Sequence, residues 1–66
     1  MSSIVNKQAQ HIQNQDVVIY DRSVQTVEGN GYTDDGLVKL TLRKAGQYFC
    51  TTVEVSVDTL IETLEL

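Results

Sequence analysis

Between residues 37 and 57 apolar and polar side chains alternate with a period of two, and no other feature so narrows what this chain can become. Val38, Leu40 and Leu42 alternate with Lys39, Thr41 and Arg43, and Phe49, Val53, Val55 and Val57 alternate with Tyr48, Thr52, Glu54 and Ser56. Successive side chains of a strand point to opposite faces, so each run reads as a half-buried strand. The stretch Lys44-Ala45-Gly46-Gln47 between them predicts a hairpin. A two-residue loop at Ala45-Gly46 sets Leu42 opposite Phe49, Leu40 opposite Thr51 and Val38 opposite Val53. Opposed residues of an antiparallel pair share a face. This register therefore gathers the apolar side chains on one side and sends Lys39, Arg43, Tyr48 and Thr52 to the other. A three-residue loop would oppose Leu42 to Tyr48 and mix the two alternating sets.

Upstream, Val17-Val18-Ile19-Tyr20 is a β-branched and aromatic run with strand propensity. Asp21-Arg22-Ser23 has turn chemistry, and the segment from Ser23 to Val27 reads as the return strand. Residues 28–36 contain Gly29, Gly31 and Gly36 and read as one loop, or as a turn flanking a brief extended piece at Gly31-Tyr32-Thr33; Gly29 and Gly31 can take positive φ there. Ile4, Val5, Ala9 and Ile12 can share one helical face with Ser3 as cap, so residues 1–16 form either a short helix or a flexible arm. At the other end Leu60, Ile61 and Leu64 make one helical stripe, and Thr59 with Glu62 makes a capping box. The expected fold class is α+β: a small antiparallel sheet of three or four strands, a short C-terminal helix docked on it, and a single domain over residues 17–66.

Length and composition bound the rest. A 66-residue chain buries only about 60% of its unfolded surface, so such domains lean on disulfides, metals or partner subunits. Cys50 is the one cysteine and His11 the one histidine, which leaves homo-oligomerisation as the expected supplement. No run approaches the roughly 18 apolar residues of a membrane span. The N-terminal residues lack the charged and apolar regions of a secretory signal. With a lone thiol, this points to the cytoplasm. The formal net charge of −4 repels phosphate backbones unless positive charge is clustered.

Chemistry-bearing residues are sparse. His11 has no partners at zinc-ligand spacing. The polar run over residues 30–36 lacks the ligand pattern of a calcium loop. Glu28-Gly29-Asn30-Gly31 has no phosphate-binding lysine after it. Cys50 has no neighbouring histidine to activate it. No nucleophile, base and orienting group can be assembled, so no catalytic residue, metal or cofactor is expected and the chain reads as a non-enzyme. Two surfaces stand out. Glu54, Asp58, Glu62 and Glu65, with the terminal carboxylate, form an acidic patch suited to a basic protein partner. Lys39, Arg43, Lys44 and Tyr48 form a basic, aromatic sheet face of the kind that binds single-stranded nucleic acid. The acidic balance favours the first. The expected function is a small acidic protein-binding or regulatory module of the inhibitor or adaptor type. A phage or mobile-element accessory protein is an analogous setting in size and charge, and nucleic-acid binding is the alternative.

Overall fold

The computed structural model describes residues 3–65. It is a single antiparallel sheet of six strands. The strands are β1 (Ser3–Gln8), β2 (Val17–Tyr20), β3 (Ser23–Tyr32), β4 (Val38–Lys44), β5 (Thr51–Val55) and β6 (Leu60–Glu65), and one 3₁₀ turn at Ala9–His11 follows β1. Their spatial order is β1-β6-β2-β3-β4-β5. The α+β expectation is therefore wrong: the fold is all-β, with six strands rather than three or four. Met1, Ser2 and the terminal carboxylate of Leu66 lie outside the described residues.

The C-terminal helix is replaced by β6. Two helical turns cannot persist without packing, whereas a strand at this place pairs on both sides. Leu60 to Glu65 pairs with β1 from Gln8 to Ser3, and Glu62 to Leu64 pairs with β2 from Ile19 to Val17. Val57 and Asp58 form a turn, closed by the Thr59 N–H donating to the Ser56 carbonyl at 3.1 Å, so neither Asp58 nor Thr59 caps a helix. The N-terminal helix is corrected in the same way, because Ile4 and Val5 belong to β1. Ile12 is buried all the same, just beyond the 3₁₀ turn.

The β2–β3 hairpin turns at Asp21 and Arg22, both at positive φ (53° and 61°), as the twist of a two-residue hairpin loop requires. β3 then runs on through the glycines. Gly29 and Gly31 are extended strand residues beyond a bulge at Glu28, where the register steps from Val27↔Leu42 to Gly29↔Thr41. Among the glycines the positive φ values belong to Gly36 and Gly46, in the turns before β4 and β5.

The β4–β5 hairpin keeps its faces but shifts its register by two residues. Leu42 opposes Thr51, Leu40 opposes Val53 and Val38 opposes Val55. A shift of two leaves every side chain on its expected face. It brings Val55 into the paired segment and lengthens the connection to residues 45–50, which leaves Phe49 exposed. Gly46 and an Arg43 guanidinium bond to the Gln47 carbonyl (3.5 Å) shape that connection.

The sheet must curl. β5 lies at one edge and β6 four ladder steps away, about 19 Å in a flat sheet at ~4.8 Å per step. Residues 56–59 join them while also making a turn, and a turn cannot stretch so far. The curl is closed by the 3₁₀ segment, whose Ala9 and Gln10 N–H groups donate to the Thr59 and Val57 carbonyls at 2.8 and 3.1 Å. Inside lie Ala9, Ile12, Val18, Val27, Val38, Leu40, Leu42 and Ile61. Two buried polar side chains share this interior. Thr63 donates to the Ile61 carbonyl and Gln25 to the Tyr20 carbonyl, so neither is an unpaired polar group.

Candidate functional site

The inner face of the sheet makes the core, so any binding surface must come from the outer face, the hollows at the ends of the curl, or the edges. The hollows are small. One of about 110 Å³ lies among Ala9, Ile12, Asn30, Tyr32 and Val38. Another of about 100 Å³ lies among Tyr20, Gln25, Leu42, Lys44 and Val53. Pockets for drug-sized ligands start at roughly 300 Å³. His11 and Cys50 are both exposed, and among the described residues no three His, Cys, Asp or Glu side chains converge.

The outer face is apolar where four strands meet. Ile4, Leu64 and Val17 form one row across β1, β6 and β2. Ile19 and Val24 continue the next row across β2 and β3, beside Glu62 and Asn6. Leu60 stands at the end of β6 against Gln8. Ile4, Val24 and Leu60 are each more than half exposed (54%, 51% and 63%). Scattered surface apolar residues are ordinary, whereas these form a contiguous run on one face. The exposed carboxylate of Glu62 lies within the strip.

The acidic residues singled out from sequence are dispersed. Glu54 is on β5 opposite Lys39, and Asp58 is in the β5–β6 turn. Glu62 faces outward in the middle of β6. Glu65 stands on the other face of that strand, 3.9 Å from the Lys7 ammonium. Asp58 precedes β6 and Glu65 ends it, so the full length of the strand, roughly 16 Å from Leu60 to Glu65 at ~3.3 Å per residue, lies between them. Without the helix that was to gather them, these residues do not form one patch among the described residues, and with β6 a strand only Glu62 joins the outer strip.

The basic residues are divided too. Lys39 and Arg43 share the outer face, but Lys39 opposes Glu54 and the Arg43 guanidinium lies 3.6 Å from the Glu28 carboxylate. Lys44 points to the other side, opposite Gln25. Tyr48 is fully exposed in the β4–β5 connection. The structure thus brings Lys39 and Arg43 to one face with a carboxylate beside each, and leaves Lys44 and Tyr48 apart from them.

Sequence reasoning missed the apolar strip because it spent Leu60 and Leu64 on a helix stripe and left Ile4 on an arm. One signal was available. Val17-Val18-Ile19-Tyr20 is apolar without alternation, the mark of a strand covered on both faces. No helix among the described residues is long and apolar enough to cross a membrane. No family model matches the chain, and neither a curated protein nor a solved structure shows significant similarity to it.

Proposed function

We propose that this chain is a small acidic, non-catalytic protein-binding module of the inhibitor or adaptor type, working as a homo-oligomer, and that it meets its protein partner through the outer strip of β1, β6, β2 and β3. One observation carries the reading: Ile4, Val17, Ile19, Val24 and Leu64 are contiguous on a face that the core does not use. Glu62 within the strip and the net charge of −4 favour a partner whose apolar patch carries a basic group. A cytoplasmic setting accords with the free thiol of Cys50.

Affinity capture from native lysate, comparing the unmodified chain with Ile4→Glu and Val24→Glu, tests this. Both positions are exposed, so the fold tolerates the change, which circular dichroism verifies. A specific protein retained by the unmodified chain and lost by both variants supports the strip. Equal capture by all three refutes it, and turnover in substrate screening with no specific capture returns the chain to the enzymes.

A further inference from the structure

The sheet ends in two edge strands, β1 and β5, and they are guarded unequally. An edge presents a row of unpaired N–H and C=O groups, which proteins commonly blunt with lysine, proline or a bulge. β1 carries Lys7, held 3.5 Å from Asp16 and 3.9 Å from Glu65, and its chain turns away at Ala9. β5 has the sequence Thr-Thr-Val-Glu-Val, with no lysine, no proline and no register break against β4. Its only ladder neighbour among the described residues is β4.

We propose that a second copy of this chain pairs with β5, strand antiparallel to strand, about a twofold axis through Val53. The proposal rests on the homo-oligomer reading above and names its surface. The register follows from self-complementarity. A twofold axis normal to the sheet keeps both core faces on one side, so it must pass through a residue. An axis through Glu54 would set that carboxylate against its own copy. An axis through Thr52 would pair only three of the five strand residues with one another. The Val53 axis pairs all five: Val53 meets Val53 of the partner subunit, Thr51 meets Val55 of the partner subunit, and Thr52 meets Glu54 of the partner subunit. Thr51, Val53 and Val55 lie on the side of Leu42, Leu40 and Val38, so the pairing prolongs the core face. Val53 and Val55 are half-buried in the single chain, and the second copy covers their open side. The one charge of the strand lands opposite a hydroxyl.

The register makes opposite charges at one position act in opposite directions. Thr52 is exposed and faces outward beside Thr41, so Thr52→Lys and Thr52→Glu leave the core alone. In the dimer Thr52→Lys puts an ammonium opposite Glu54 twice over, and Thr52→Glu puts a carboxylate there twice. Sedimentation equilibrium of the full chain should show dimerisation tightened about fivefold by the first and weakened about fivefold by the second, two cross-strand charge pairs contributing in each case. Asn14→Lys and Asn14→Glu, in the exposed turn before β2, make the same change in net charge and should leave the constant within about twofold of the unmodified chain. Circular dichroism confirms that each variant folds. An unmodified dimer that ignores the charge at position 52, or responds to position 14 as strongly, overturns the β5 pairing and leaves the homo-oligomer reading standing. A chain that stays monomeric at millimolar concentration overturns both.

Discussion

Truncating Leu60 and Ile61 separately to alanine distinguishes the strand at the C-terminal end from the helix that its sequence pattern suggests. On a helix the two residues belong to one apolar stripe with Leu64, and both truncations should hurt. On β6 they point to opposite faces. Ile61 is 3% exposed and Leu60 63%. Removing a buried isoleucine side chain beyond Cβ costs about 2–5 kcal/mol, from lost transfer energy and the cavity left behind. A domain of this length is stable by about 3–10 kcal/mol in all, so Ile61→Ala removes a large share of its stability. A loss of about 3 kcal/mol lowers Tm by roughly 12–24 °C at this chain size. Leu60→Ala should stay within about 0.5 kcal/mol, as exposed positions do. Urea unfolding followed by far-ultraviolet circular dichroism measures both, the chain having no tryptophan to report on it. Equal costs, or a Leu60→Ala loss above about 2 kcal/mol, would refute the strand and restore the helix.

Three other outcomes follow from local geometry. Gly31 is extended, pairs with Lys39, and has open space where a Cβ would stand; Gly31→Thr should raise stability by about 0.5–1 kcal/mol in thermal melts by removing unfolded-state freedom and adding strand preference. Asp21 and Arg22 both hold positive φ, so Asp21→Asn with Arg22→Gly should stabilise the β2–β3 hairpin by about 1 kcal/mol, read from the urea midpoint. Asn30 donates from Nδ2 to the Ile12 carbonyl at 2.7 Å and ties β3 to the segment closing the curl; Asn30→Ala should cost about 1–2 kcal/mol and speed amide exchange at Ala9 and Gln10, whose N–H groups form the seam.

The parts of the fold that could be read from sequence are those governed by neighbours in the chain. The alternation of Val38, Leu40 and Leu42 against Val53 and Val55 fixes which face is inside, and the structure opposes Leu40 to Val53 on one face. The Val17–Tyr20 run and the Asp21-Arg22 turn form the hairpin their chemistry implies. What failed was decided at a distance. The capping box of Thr59 and Glu62 is a true local helix signal, but the pairing of β6 with β1 joins residues up to 62 positions apart, as at Ser3↔Glu65. No pattern within a short window reports that. The loop reading at Gly29 failed for a related reason: a glycine's freedom marks a turn when the chain must reverse there, and β3 does not reverse until after Tyr32, so Gly31 is extended as the alternative reading had it. The acidic patch fell with the helix, because its geometry was borrowed from a spacing of 3.6 residues per turn that β6 does not follow.

The same long-range pairing explains why the open surfaces lie where they do. β2 to β5 form an up-and-down meander of local hairpins, whose two outer strands, β2 and β5, begin as edges. A helix over the last residues would satisfy its own backbone yet leave β1 without a partner and β2 with a bare side. As a strand, the segment fills the space between β1 and β2, completes two ladders, and sends Ile61 and Thr63 into the core. Closing so long a loop costs entropy only logarithmically in its length, so two ladders and a buried isoleucine can exceed it. This closure consumes the β2 edge and hands its role to β1, where Lys7 stands guard. It does nothing for β5, which the β5–β6 turn leaves at the rim. It also builds the outer strip, since inserting β6 is what aligns Leu64 with Ile4 and Val17. The apolar strip and the unguarded edge are therefore two products of one event, the insertion of the last strand. A variant that blocks this insertion should lose both surfaces together with the fold.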